Sequence, residues 1–88
     1  GVVREMVGHG IGRKMHEDPE VPNYFTGRRG PRLEPGMALA IEPMITLGSP
    51  DICLDENQWT VSTIDKKPAA HYENTTILTK NGLEILTL

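Results

Sequence analysis

Two imidazoles, His9 and His16, stand seven residues apart in the stretch Val-Gly-His-Gly-Ile-Gly-Arg-Lys-Met-His-Glu-Asp-Pro, residues 7–19. Gly8, Gly10 and Gly12 frame them and let the backbone turn tightly or approach another group closely. Two acids, Glu42 and Glu73, lie inside strand-like runs further along. One imidazole and two carboxylates form a hard N and O donor set, suited to Mn, Fe, Co or Zn rather than to a cysteine-type structural zinc. Carboxylates that bridge two ions are typical of dinuclear hydrolases, in which the metals activate water and stabilise a developing oxyanion. The second imidazole would then be free to act on substrate.

Each residue also has a simpler reading. Glu42 interrupts the most apolar run of the chain, where an ionised carboxylate must pair, protonate or bind metal, and an ion pair with Arg13 or Arg32 would suffice. Glu73 lies among polar residues and by itself reads as a solvated strand position. His71, on the same strand face as Glu73, is either a surface residue or a group that supports a ligand. His16-Glu17 is not half of a zinc-protease H-E-x-x-H helix, because position 20 is Glu20. The glycine stretch continues into Arg13 with no helical pattern behind it, so it does not read as a nucleotide loop.

The elements that must position these residues read as strands and turns. Val2 to Val7 is a short β-prone run, and Arg13 to Pro19 is a turn or edge. Residues 20–36 are rich in Pro and Gly and form an irregular connection that Tyr24-Phe25 would pin to the core. Glu34-Pro35-Gly36 fits a type II turn. Met37 to Leu47 is a core strand, and Pro43 requires it to bulge or lie at an edge just after Glu42. Trp59 to Ile64 alternates as a hairpin strand, with Trp59 its main core aromatic by residue type. Ala69 to Thr79 reads as one long strand with His71, Glu73, Thr75 and Ile77 on one face. Asn81-Gly82 signals a hairpin that returns Leu83 to Leu88 against Ile77 and Leu78. No segment has sustained helical periodicity, so the chain is nearly all antiparallel β.

Composition bounds the rest. Eighty-eight residues with 38% hydrophobic and 5% aromatic content make one small domain with a thin core. The net charge of −3, with no basic cluster larger than pairs such as Arg28-Arg29 and Lys66-Lys67, argues against nucleic acid or an anionic membrane as partner. A single cysteine, Cys53, permits no disulfide within the chain and suits a reducing compartment. Nothing resembles a signal peptide, and no apolar run is long enough to span a bilayer, so the expected location is the cytoplasm. Asn74-Thr75-Thr76 matches a glycosylation sequon without that context. The chain starts at Gly1 and enters a strand at once, which suggests a piece of something longer.

Taken together, Gly8-His9-Gly10-Ile11-Gly12, Met15-His16-Glu17-x-Pro19, Leu33-x-Pro35-Gly36-Met37, Ile41-Glu42-Pro43-Met44, Trp59-Thr60, Tyr72-Glu73-x-Thr75, Asn81-Gly82 and Glu84-Ile85-Leu86-Thr87 resemble the C-terminal portion of the type I methionine aminopeptidases, in the M24 peptidases. The resemblance spans essentially the whole chain, and Ile-Glu-Pro-Met separates it from the related X-prolyl aminopeptidases, which share the first motif. It implies half of an α+β pita-bread (creatinase/aminopeptidase-like) fold, with this chain mostly antiparallel β and little or no helix. Residues 1–88 would be the C-terminal lobe, and the N-terminal lobe would lie upstream with two Asp ligands and much of the methionine pocket.

The same resemblance implies two divalent metal ions and substrates carrying an N-terminal Met, removed from new polypeptides. His9, Glu42 and Glu73 take the positions of metal ligands, and Glu42 also that of a proton carrier. His16 takes the position that hydrogen-bonds substrate and stabilises the tetrahedral intermediate. Trp59 and Met15 fall at the methionine pocket, with Met15 standing where an aromatic is usual. His71 and Asn74 replace the more common Gln and His beside Glu73, and neither removes a ligand. The competing expectation is a pita-bread module that binds without catalysis, and the isolated chain is expected to be inactive for want of its missing ligands.

Overall fold

Paired runs of β-prone residues broken by Pro and Gly produce nine short strands in the computed structural model, which describes residues 1–87. Leu88, the expected end of the last strand, lies outside the described residues. In chain order the strands are β1 (Gly8–Ile11), β2 (Glu17–Val21), β3 (Ala38–Ile41), β4 (Met44–Thr46), β5 (Ile52–Leu54), β6 (Val61–Thr63), β7 (Ala69–His71), β8 (Asn74–Thr79) and β9 (Gly82–Ile85). Every pairing between them is antiparallel. The described residues contain no helix, and so none long and apolar enough to cross a membrane. Five strands form the main sheet in the order β2-β1-β3-β8-β9, and β4–β7 and β5–β6 form two further ribbons.

The turn chemistry acts where the residues require it. Gly36 has φ of 97° and Met37 N–H donates to the Glu34 carbonyl at 3.2 Å, which makes Glu34–Met37 the type II turn expected from Pro35-Gly36. The β8–β9 hairpin closes at Thr79↔Gly82, and the positive φ of 120° falls on Gly82 alone. Asn81-Gly82 therefore marks the hairpin without forming a type I′ pair, which would need positive φ at both central residues.

Two expected strands are each split. Met37 to Leu47 becomes β3 and β4 with Glu42-Pro43 between them, and Ala69 to Thr79 becomes β7 and β8 with Tyr72-Glu73 between them. The breaks face each other. Pairing runs from Ala38↔Ile77 to Ile41↔Asn74 and resumes at Met44↔His71, so counting across the gap sets Glu42 opposite Glu73 and Pro43 opposite Tyr72. The register is unchanged on the two sides, so no bulge follows Glu42; of the two options that Pro43 leaves, the chain takes the edge, with β4 pairing only with β7 among the named strands. Pro43 removes only its own donor, while its carbonyl still accepts from Tyr72 N–H at 3.2 Å.

The core is thin, as composition requires. Val3, Leu39 and Ala40 are the buried apolar residues, and Thr76 beside them donates its hydroxyl to the Leu39 carbonyl at 3.0 Å. Two expected core contributors are outside it. Trp59 is 86% exposed and Phe25 96% exposed. Trp59 sits at the tip of the β5–β6 ribbon, where Asn57 Oδ1 accepts from the N–H groups of Trp59 and Thr60 and nothing packs on the ring. The long loop is pinned by Tyr24 instead, whose ring lies 4.9 Å beneath the Arg4 guanidinium. The accessible surface of 6963 Å² exceeds the roughly 5,100 Å² expected for a folded monomer of this mass. Exposed apolar side chains, Phe25, Trp59, Met15 and Leu47 foremost, contribute to that surface.

Candidate metal centre

Strand parity gathers the site. His9 pairs with Ala40, and Ala40 pairs with Thr75, so these three share one sheet face. Glu42 and Glu73 lie two residues beyond Ala40 and Thr75 and continue that face into the break. Leu78 N–H donates to Met37 O and Tyr72 N–H to Pro43 O, which marks odd-numbered β3 and β4 positions as hydrogen-bonded pairs. Glu42 and Glu73 are therefore a non-hydrogen-bonded pair, the setting that brings opposed side chains closest. Like charges directly opposite each other are destabilising unless something compensates.

His9 Nε2 lies 3.4 Å from Glu42 Oε2, with the two side chains only 12% and 13% exposed. One ligand atom from each of His9, Glu42 and Glu73 lies within 4.8 Å of the others. His9 Nδ1 is 3.0 Å from the Gly10 carbonyl, a group that can only accept, so Nδ1 is the donor and, in the neutral imidazole, Nε2 presents a lone pair. Three acceptors thus converge on one point. A proton or a cation reconciles them, and this donor set fits a divalent metal ion. Burial, and next the facing Glu73 carboxylate, raise the Glu42 carboxyl above its usual range, with His9 and His71 partly opposing the shift.

The surroundings hold these groups in place. Asn23 Nδ2 donates to the Glu42 carbonyl at 3.2 Å, fixing the backbone where the β1–β3 ladder has ended. Sequence reading missed Asn23, because an Asn in a proline-rich loop carries no signal of its target. His71 Nε2 approaches Glu73 Oε2 at 3.8 Å, so His71 supports this carboxylate from the solvent side. Neither Arg13 nor Arg32 pairs with Glu42; its neighbours are His9 and Glu73.

The glycines of the opening motif have separate steric reasons. A Cβ on Gly8 would strike the Ala40 carbonyl and one on Gly10 the Asp18 carbonyl, so both allow neighbouring strands to approach β1 closely. His16 follows in the link between β1 and β2, its ring centroid 4.1 Å from that of His9 at 46°. It stands beside the cluster and outside it. An open cleft of 1070 Å³ adjoins His9 and is lined by His16, Glu17, Glu20, Arg13 and Lys14. Met15 is exposed in the same link, and neither it nor Trp59 is among the cleft's lining residues.

Residues 1–80 match the family model described as metallopeptidase family M24. The chain is 60% identical over 88 residues to the methionine aminopeptidase of Clostridium acetobutylicum, covering all of this chain and 35% of that protein. It is 52% identical over 86 residues to methionine aminopeptidase 1 of Bacillus subtilis, again 35% of that protein. The crystal structure of the Thermotoga maritima methionine aminopeptidase superposes with a TM-score of 0.92 at 50% identity, covering 98% of this chain and 34% of that one. The Rickettsia prowazekii enzyme gives 0.87 at 47% identity, covering 99% and 36%. The chain therefore spans about a third of the length of the relatives it matches.

Proposed function

We infer, from a chain that belongs to metallopeptidase family M24 and has part of the pita-bread fold of the methionine aminopeptidases, that it supplies the C-terminal lobe of an enzyme that removes the N-terminal Met of peptides and new proteins. The observation that carries the reading is the convergence of His9, Glu42 and Glu73, three acceptors within 4.8 Å on one sheet face. These residues would hold the metal, and the opposed carboxylates suit a pair of ions, Co, Mn, Fe or Zn. Bound there, divalent ions supply Lewis acidity to a peptide carbonyl and lower the pKa of water.

The chain's own residues divide the remaining work. His9, fixed through Nδ1, offers Nε2 in one orientation. Glu42, the more buried of the two acids, is suited to take a proton from water and pass it to the departing amine. His16 makes no contact with Glu42 or Glu73 among the described ion pairs and keeps its ring free to hydrogen-bond the substrate carbonyl. Trp59 and Met15, exposed here, would form one side of the methionine pocket against a lobe with upstream sequence. The ligand set argues against a non-catalytic module, which has no need of opposed carboxylates.

A graft tests the reading. With these 88 residues installed in place of the matching third of the Thermotoga maritima enzyme, a Met-initiated peptide should be cleaved when divalent metal is added. His9→Ala or Glu42→Ala should abolish cleavage, and activity that survives either change with excess metal would overturn the assignment.

A further inference from the structure

We propose that Glu17 is a positioning residue: its carboxylate clamps the link between β1 and β2 and holds His16 against His9. The link, residues 12–16, is short, and His16 is its last residue before β2. Gly12 N–H donates to the Lys14 carbonyl at 3.2 Å, and Lys14 N–H donates to Glu17 Oε2 at 2.7 Å. The second bond is short and charge-assisted, the stronger kind. It ties the first residue of β2 back across the turn it has just left, so the backbone at His16 has little freedom.

Gly12 completes the clamp. A Cβ there would lie 2.5 Å from Glu17 Oε1 and 2.7 Å from Oε2, inside van der Waals contact, so the carboxylate occupies the space a side chain would fill. Gly12 and Glu17 form one unit. Its output is the placement of His16, whose ring meets that of His9 at 4.1 Å. Glu17 touches neither the acidic pair nor the ligand nitrogen of His9, so it acts only through His16.

The proposal rests on the functional reading for its kinetic consequence but not for its structural one. In the graft described above, Glu17→Ala should lower kcat about tenfold while leaving KM within about twofold, because misplacing a group that acts in the transition state costs rate rather than binding. Cobalt binding, followed by absorption titration, should be unchanged. Glu17→Gln keeps an acceptor for Lys14 N–H and should retain most of the rate. Gly12→Ala forces the carboxylate to shift and should lower the rate in the same direction as Glu17→Ala and no further, and the double variant should be no worse than Glu17→Ala.

Magnetisation transfer between the His9 and His16 imidazole protons should be present in the unsubstituted protein and lost in Glu17→Ala, with cross-strand signals between Ala40 and Thr75 intact. Unchanged kcat in Glu17→Ala, a loss that multiplies in the double variant, or ring contacts that persist would each overturn the proposal. A graft that binds cobalt but cleaves nothing would overturn the functional reading, while the ring contact still decides the role of Glu17.

Discussion

Glu42 and Glu73 oppose each other across a ribbon whose register is the same on both sides of a two-residue break. Two carboxylates in this relation destabilise the fold when both are charged, and their retention makes sense where a cation joins them. Glu42→Gln should therefore raise the melting temperature of the metal-free chain by a few degrees, on a scale of about 4–8 °C per kcal/mol for a domain this small. The same change should remove the stabilisation by added Co(II) or Mn(II), which at a hundredfold excess over Kd amounts to about 2.7 kcal/mol. Differential scanning calorimetry with and without metal reads both effects. A Glu42→Gln chain that metal stabilises as well as the unsubstituted one would exclude Glu42 as a ligand.

The pH dependence of the metal-free chain follows from the same pair. The Glu42 carboxyl is raised in the fold above its ordinary value of 4.5. Between that value and the raised one the folded chain holds more protons than the unfolded, so stability falls as pH rises through this window. Cation binding should run the other way and tighten with pH, since metal and proton compete for the carboxylate. Thermal melts across the acid range, with and without metal, should show slopes of opposite sign.

Asp65 gives a contrasting case outside the site. Backbone N–H groups of Lys67 and Ser49 donate to its carboxylate at 3.0 and 2.8 Å and hold it below its ordinary range, so it joins two surface turns. A lowered carboxyl contributes stability that is present above its unfolded value and lost as pH falls through the folded one. Asp65→Asn should flatten this acid-side loss and leave metal affinity unchanged.

Trp59 is the single tryptophan and offers a direct probe. In this chain it should be fully accessible to a collisional quencher, given its 86% exposure. In the graft it should be shielded, and shielded further by a methionine analogue, if it lines the pocket. Equal quenching in both settings would remove it from the substrate site.

The thin core makes the isolated chain vulnerable. Leu39→Ala removes one of three buried apolar side chains and should cost about 2 kcal/mol or more, enough to abolish cooperative melting in a marginal fold. The exposed apolar strands should drive association. Sedimentation of the unsubstituted chain should show species larger than a monomer, and a cooperative, strictly monomeric melt would contradict this account of its surface.

Much of the site was legible because its residues broke local rules. Glu42 stood out as a charge in an apolar run and His9 as an imidazole flanked by glycines, and the fold brings them to 3.4 Å. Glu34-Pro35-Gly36 was legible because the turn demands a positive φ that glycine supplies. Glu73 was weaker, since its role depends on facing Glu42, a long-range fact that polarity alone does not encode. The interruption at Glu42-Pro43 was legible from Pro43, but the break facing it was hidden because Tyr72 and Glu73 have no breaker chemistry of their own. Trp59 misled because residue type predicts burial only where something exists to bury it, and the β5–β6 ribbon packs against no other described strand at its tip.

The unchanged register across Glu42-Pro43 and Tyr72-Glu73 bears on how such a chain can vary in length. Loops such as residues 22–36 or 55–60 lie outside the ribbon, so insertions there leave the pairing of Glu42 with Glu73 untouched. A single residue gained or lost between Ile41 and Met44, or between His71 and Asn74, would offset one half of the ribbon against the other and turn an acid to the opposite face. Within those two short gaps the number of residues is held as firmly as the two acids themselves, and a length polymorphism there would mark a descendant that has abandoned the metal.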